Sequence, residues 1–326
     1  MVKIDLKDKR ILAELDMNAR IPITSLAKKV GLSRQAVEYR IRRLQKENVI
    51  FNSLTIFDTA VVGFNWYRVI LRFQHISKNQ KEEFIEYLKN NKYTFWVGEV
   101  GGNWDLIINF ICKDNFEFNE IFEKISQKYG SFIKDYEILI YINVFDLQRN
   151  YILDKKEKRK EIFHKMKFNS EIKLDCLDRG IIKMIKTNAL ISNFDISKKL
   201  NVSPNTIKNR ICSMVNSGLL LGFRTLINPI IFGYRSHLLF FSINHIDVKK
   251  EEEFYSYLKS IPNITYLVKH IGRWRIGMEV ETKSDEEFHE IFTQIRGKFS
   301  EIITDFESFP LYRDHKIDYF PEGNLV

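Results

Sequence analysis

Between Arg34 and Lys46 the chain sets Arg34, Gln35, Tyr39, Arg40, Arg42, Arg43 and Lys46 within about four turns of a helix. Guanidinium, amide and ammonium groups so spaced suit contact with a polyanion. An arginine or glutamine near the start of such a helix reaches a base edge in the DNA major groove, while flanking cations meet phosphates. A poorer set stands further along at Asn205, Lys208, Asn209 and Arg210. Arg40 and Arg210 hold matching positions and suit either DNA or the acids of a preceding helix. Other chemistries find little support. Cys112, Cys176 and Cys212 have neither a disulfide framework nor a metal-ligand spacing, and no glycine-rich phosphate loop, zinc pattern or serine or cysteine catalytic set stands out. We expect no metal and no cofactor.

The elements that must position these residues are short helices. Asp5 or Asp8 can cap a first helix carrying Ile11, Leu12 and Leu15 on one stripe. A second starts near Thr24 or Ser25, buries Leu26, Ala27 and Val30, and stops at Gly31. Ser33 then caps a third, with Ala36, Val37, Ile41 and Leu44 at helical spacing. This is a helix-turn-helix layout. Around Asn201-Val202-Ser203-Pro204 the device recurs, with Ser203 as cap and Pro204 at the first helical position, where proline is tolerated. Strand-like segments, 49–58 and 219–228, follow each third helix and suit small wings.

That recurrence is part of a duplication. Slid by 170 residues the chain matches itself without a gap, from Lys3/Lys173 and Asp8/Asp178 through Gly63/Gly233, Trp104/Trp274 and Asp135/Asp305. Of 156 facing pairs 35 are identical, and most others exchange one apolar residue for another, so the chain is two copies of one unit. After its helices each unit reads β-α-β-β-α-β. The strands of the first are 66–76, 93–101, 104–112 and 133–145, and those of the second 236–246, 264–271, 274–282 and 303–312. This order predicts a ferredoxin-like sandwich, an α+β fold with helices on one face of an antiparallel sheet. The other face, read through Val69, Leu71 and Phe73, is apolar too and has to be covered, most economically by the other unit's sheet. The expected domains are a winged helix-turn-helix at 1–58, a sandwich at 59–153, a basic linker at 154–173, a second winged helix-turn-helix at 174–228 and a second sandwich at 229–326.

The net charge of +9 follows this division. Each helical module carries +5 and the linker +4, while the two sandwiches together carry −5. The basic excess therefore lies on the modules expected to touch DNA. No apolar run approaches the ~20 residues of a membrane span and the first residues form no signal segment, so a soluble cytoplasmic protein is expected.

Taken in order, Asp5-Leu6-Lys7-Asp8-Lys9-Arg10-Ile11-Leu12, Asn18-Ala19-Arg20, Val30-Gly31-Leu32-Ser33, Arg40-Ile41-Arg42-Arg43-Leu44 and the turn Gly102-Asn103-Trp104-Asp105 resemble the Lrp/AsnC family of transcription regulators. The resemblance implies a winged helix-turn-helix joined to a sandwich that dimerises through its sheet and binds amino acids or related small molecules near that turn. With two units in one chain, a covalent pseudo-dimer is implied, with self-association through the sandwich sheets and double-stranded DNA as partner. The implied DNA-contacting residues are Ser33, Arg34, Gln35, Tyr39, Arg40, Arg42 and Arg43, with Ser203, Asn205, Lys208, Asn209 and Arg210. The implied effector positions are Gly102, Asn103 and Asp105, with Gly272, Arg273 and Arg275. In the second turn arginines replace the polar residue and the aspartate, so at most one family-like effector site per chain is expected, on the side of the first turn. Alternatively Arg273 or Arg275 binds an anion or pairs with Asp105 across the pseudo-twofold, or the turn is structural.

The same fold is also used by siroheme decarboxylases, which are enzymes. That alternative implies a histidine toward the end of the third sandwich strand, where this chain has Ile111-Cys112 and Glu281-Thr282. His270 and the matched His75 and His245 are its nearest substitutes.

Overall fold

The computed structural model describes residues 3–153, 159–169, 171–244 and 248–325; part of the linker (154–158) and His245 fall outside them. Helix α1 (Leu6–Met17) begins where Asp5 accepts the Asp8 amide at 2.8 Å and Asp8 accepts the Asp5 amide at 3.0 Å, a reciprocal cap. Helix α2 (Ile23–Val30) ends at Gly31, whose φ of +66° lies in the left-handed region glycine enters without steric cost. The chain thus turns sharply into α3 (Arg34–Lys46), capped by Ser33. There follow β1 (Ile50–Phe57), β2 (Asn65–Phe73), α4 (Lys78–Asn90), β3 (Thr94–Val100), β4 (Leu106–Cys112), α5 (Asn115–Tyr129), β5 (Ile133–Leu147) and, from the linker, β6 (Glu161–His164). The second unit repeats the order as α6 (Cys176–Thr187), α7 (Asn193–Leu200), α8 (Pro204–Asn216), β7 (Leu220–Ile227), β8 (Arg235–Ile243), α9 (Val248–Ser260), β9 (Ile264–Ile271), β10 (Ile276–Thr282), α10 (Asp285–Lys298) and β11 (Ile303–Ile317).

The two sandwiches pair as an intrachain pseudo-dimer, and the pairing closes on itself. The strands run β2-β4-β3-β11-β8-β10-β9-β5, and β5 also pairs with β2, giving an eight-stranded antiparallel barrel. The long strands β5 and β11 bridge the units. The first half of β11 pairs with β8 of its own unit, and its second half crosses to β3. Closure pairs most of the sheet edges that a lone sandwich would expose.

The faces are assigned differently from the sequence reading. Val69 and Leu71 lie under α4 and α5 with Phe84, Phe118 and Ile125, and the partly buried Phe73 joins that cluster. The face toward the other unit carries Ile70, Ile107, Leu238, Phe240, Trp274 and Phe309, together with the buried Arg68. Strand alternation fixes two apolar faces but not which one the helices cover, and β2 is buried on both.

The wing strands β1 and β7 pair with each other, Ser53 facing Thr225 and Leu54 facing Arg224, in one antiparallel ribbon shared by the two modules. Each module packs on the far end of this ribbon. Ile227 joins the first module's core, with Leu12, Leu26, Val37 and Leu44. Ile56 and Phe57 join the second module's, with Ile181, Ile185 and Ile207. The Thr55 hydroxyl donates to the Ile185 carbonyl at 2.6 Å and the Ala19 amide to the Phe223 carbonyl at 2.7 Å, so the exchange is hydrogen-bonded as well as apolar.

Candidate functional site

Helix α3 buries Val37 and Leu44 and turns Ser33, Arg34, Gln35, Tyr39, Arg42 and Lys46 to solvent. The Ser33 hydroxyl accepts the Ala36 amide at 3.2 Å, so it serves the helix start. Tyr39 is 69% exposed. The Arg34 Nε donates to Glu38 at 2.8 Å, an exposed i,i+4 pair that a stronger anion can displace. Arg40 and Arg43 are placed otherwise. Arg40 donates to Asp5 at 2.7 Å and to the buried Asp8 at 2.8 Å, and Arg43 to Asp8. Although burial, the largest single influence, opposes it, the Asp8 amide and Arg40 together hold the Asp5 carboxyl down to about 2. These arginines lock α3 to the start of α1.

Helix α8 repeats the lock, with Arg210 2.8 Å from Asp175 and 3.2 Å from Asp178. Ser203 accepts the Thr206 amide at 3.0 Å. The outward face holds Asn205, Lys208 and Asn209, with Pro204, Cys212 and Asn216 where the first unit has Arg34, Arg42 and Lys46. Lys208 is the single cation on it.

The two sandwich turns are held across the pseudo-twofold. Asn103 donates to Glu307 at 3.0 Å and the Trp104 indole to the same carboxylate at 2.9 Å. At the mate positions, Arg273 donates to Glu137 at 2.8 Å and also to Asp305 at 3.3 Å. Asp105 accepts the Phe73 amide at 2.8 Å, and Arg275 lies 3.5 Å from Glu251. Arg273 thus crosses to the other unit but meets Glu137 rather than Asp105. Gly102 (φ +84°) and Gly272 (φ +137°) supply backbone that other residues rarely adopt, and a Cβ on Gly272 would stand 2.5 Å from Leu139.

A group the sequence reading missed lies where the ribbon meets the barrel. Asp16, at the end of α1 and fully buried, accepts from Arg224 of β7 at 3.0 Å and from Arg149 at 3.2 Å. Arg224 also reaches Asp146 at 2.8 Å, and Asp146 meets His164 at 2.9 Å. Arg149 continues to Glu281 of β10, which also takes the Tyr151 hydroxyl. Although burial opposes it, Arg224 and Arg149 hold the Asp16 carboxyl below its ordinary range. The signal was an inversion of charge between the copies, because Asp16 faces Lys186 and Asp146 faces Lys316 at the 170-residue offset.

Beside this joint a cavity of about 1000 Å3 opens between the ribbon and β8, β10 and β11, walled by Phe51, Leu226, Ile230 and Tyr312. Glu279 and Asp314 stand at its inner end and also line a chamber of about 140 Å3 reaching Arg68 and Asn109 inside the barrel. Burial, with Glu281 and Asp314 nearby, pushes the Glu279 carboxyl up to about 8. His237 and His315 border the cavity, His270 is buried in the barrel, and His75 stands exposed in a turn at φ +50°. Among the described residues no group of three or more His, Cys, Asp or Glu is placed to hold a metal ion, and no helix is long and apolar enough to cross a membrane.

Residues 4–45 match the AsnC-type helix-turn-helix domain, and residues 174–220 the winged helix-turn-helix DNA-binding model. An uncharacterised HTH-type transcriptional regulator of Pyrococcus horikoshii is 30% identical over 126 residues, covering 36% of this chain and 79% of that protein. The proline dehydrogenase transcriptional activator of Rhodobacter capsulatus is 30% identical over 125 residues, covering 38% of this chain and 81% of its own length. Each relative thus matches one unit. In fold, the full chain is similar to the crystal structure of the siroheme decarboxylase NirDL, with a TM-score of 0.65 and 14% identity over 98% of this chain and 96% of that one.

Proposed function

The chain belongs to the Lrp/AsnC family of DNA-binding transcription regulators, two units joined end to end, and from that premise we propose that it reads an asymmetric operator chiefly through α3. What carries this reading is the contrast between the outward faces of α3 and α8. Arg34, Gln35, Tyr39, Arg42 and Lys46 present three cations, an amide and a phenol, whereas α8 presents Lys208 among amides. Arg40, Arg43 and Arg210 are left out of the DNA-facing set because their guanidiniums are engaged by Asp5, Asp8, Asp175 and Asp178. A homodimer with two equal reading helices favours a palindrome; a fused pair with unequal helices does not. Selection of binding sites from random duplexes by the purified protein tests this: a conserved half-site beside a degenerate one is expected, and a symmetric palindrome overturns it.

We further propose that the regulator works in the cytoplasm and answers an amino acid or related metabolite through the first turn. Its support is the resemblance of Gly102-Asn103-Trp104-Asp105 to the family's effector turn and a related regulator from Neisseria meningitidis whose crystal structure is a complex with L-Met. Binding there requires Asn103 to leave Glu307. Since the sandwich sheets are paired within the chain, association between chains falls to the outer helices. Site selection repeated with L-methionine and other amino acids tests the effector.

A second reading, a decarboxylase acting on a tetrapyrrole, draws on the full-length likeness of fold and on a cavity bordered by His237 and His315. Against it, the third sandwich strands end in Ile111-Cys112 and Glu281-Thr282, without the histidine that reading implies. The cavity wall is mixed in charge, with Arg149, Arg235, Arg313 and Lys316 beside Glu279, Glu281, Asp285 and Asp314. Adding iron-uroporphyrin III to the protein separates the two, because a shifted Soret band favours the enzyme and an unshifted one the regulator.

A further inference from the structure

The pseudo-twofold makes the large cavity the mate of a slot that the chain fills elsewhere. In the first unit β6 pairs with the second half of β5, His164 facing Val144, Phe163 facing Phe145 and Ile162 facing Asp146. It lies between barrel and ribbon, where a Cβ on Gly222 of β7 would touch Ile162 at 3.5 Å. The mates of Val144 to Leu147 are Asp314 to Ile317, and the mate of Gly222 is Asn52. All of these line the cavity. Pairing of β11 with β8 ends at Leu311, beyond which β11 pairs on its other side with β3. Among the described residues nothing pairs with the near edge of 312–317. Three large apolar side chains border the opening while largely exposed, Phe51 at 59%, Tyr312 at 65% and Ile230 at 70%. An open strand edge with apolar flanks is a template for another strand.

The inner end adds a charge requirement. Glu279 and Asp314 face the cavity. Asp314 accepts the Trp96 indole at 2.8 Å, and although Arg235, Arg313 and Lys316 also line the wall, none of them is within ion-pair distance of either carboxylate among the described residues. The adjacent Arg149 is already shared by Asp16 and Glu281. The neighbouring Thr265, 3% exposed and lining the inner chamber, has a hydroxyl without a partner. In the filled slot the corresponding inward residue is His164, held by Asp146.

We propose that the edge of β11 at 312–317 binds an extended peptide from a partner protein, which adds a strand to the barrel, seats apolar side chains against Phe51, Ile230 and Tyr312, and sets a cationic side chain between Glu279 and Asp314. The peptide replaces in trans what β6 supplies in cis. It lies one ion pair away from Asp16, so its arrival bears on the arginine-rich module.

The chain's own β6 segment is the natural probe. A labelled peptide of residues 159–166, Arg-Lys-Glu-Ile-Phe-His-Lys-Met, is titrated with the full-length protein by fluorescence anisotropy, and amide hydrogen exchange is followed in parallel. Saturable binding is expected, with new protection at 312–317 and none at 144–147. The double variant E279Q/D314N should weaken binding at least 10-fold, and a peptide with proline in place of Ile162, which lacks one amide donor, should lose it. Absence of binding up to 1 mM, equal affinity of the proline peptide, or protection at 144–147 through exchange with β6 would overturn the proposal. So would full displacement by phenethylamine, an amine with no backbone to pair, which would make the cavity a small-molecule site.

Discussion

The two joints between helical module and barrel differ more than the modules themselves. In the first, Asp16 is sealed between Arg224 and Arg149, and the polar network runs on to Asp146, His164 and Glu281. In the second, the same position is Lys186, which bonds Asp318 at 2.8 Å and the Phe320 carbonyl at 2.9 Å and lies 3.5 Å from Glu322, all on the C-terminal tail. The apolar cores of the modules repeat almost position for position, yet the polar contacts that orient them have opposite sign. Duplicated units that fold beside each other risk docking in each other's places, and reversing the charge at one joint makes the wrong arrangement repulsive. The first joint also ties the arginine-rich helix module to the cavity wall, while the second ties its module to a tail.

Removing one partner from each joint is the strongest way to break this comparison. Asp16→Ala leaves two buried guanidiniums without their shared anion and should cost about 3–5 kcal/mol. Lys186→Ala removes a cation from half-exposed acids and should cost about 1 kcal/mol. Urea denaturation of both variants checks this, and equal losses would mean that the joints are interchangeable.

The reading helices come next in size. Arg34→Ala with Arg42→Ala should weaken operator binding by about 2–4 kcal/mol, roughly 30- to 1000-fold, and flatten the salt dependence. Lys208→Ala should cost less than 10-fold. A gel-shift titration at fixed salt decides, and equal losses would restore symmetry to the two half-sites.

How far the sequence disclosed this arrangement depends on the kind of interaction. Capping acids, the glycine turn and the 170-residue repeat act over a few neighbours or recur verbatim, so Asp5, Gly31 and Ser33 announce the helices directly. The apolar face toward the other unit was expected, but Val69 and Leu71 were assigned to the wrong side, since alternation is symmetric when both faces are buried. Closure of the barrel and the ribbon shared by β1 and β7 depend on pairing between the two units, over separations of 120 residues or more, which no local pattern encodes. The role of Arg40 and Arg43 depended on where α1 ends up relative to α3. Asp16, Arg224 and Glu279 look like ordinary solvated charges until the chain is folded.

Glu279 gives the cavity side of the first joint a pH signature, and its mate Asn109 gives none. Its carboxyl, ordinarily near 4.5, is raised to about 8 in the folded protein, first by burial and then by Glu281 and Asp314. Between these values the folded state keeps a proton that the unfolded chain has lost. Stability therefore falls as pH rises through this window and stays low above it. Glu279→Gln removes the decline. The variant should be nearly neutral at pH 5 and more stable than the parent by about 1–2 kcal/mol at pH 8.5, less than the full linkage because the side chain is only half-buried. Thermal unfolding at the two pH values checks it, and a constant difference would place Glu279 in water.

The turns should show the smallest contrast, and the one most sensitive to salt. Arg273 is 58% exposed on its side chain but meets Glu137 at 15%, so the pair straddles the surface. Arg273→Ala should cost about 0.5–1 kcal/mol at low salt and less at 0.5 M NaCl, where the Debye length shrinks to about 4 Å. Asn103→Ala, which breaks a single hydrogen bond donated to Glu307, should cost about 0.5 kcal/mol with little salt dependence. Both are read from urea midpoints at two ionic strengths. Salt-independent and equal losses would mean that the turns hold the two units by shape alone. A loss confined to Arg273 and erased by salt would mean that the second turn has exchanged ligand chemistry for an interdomain ion pair.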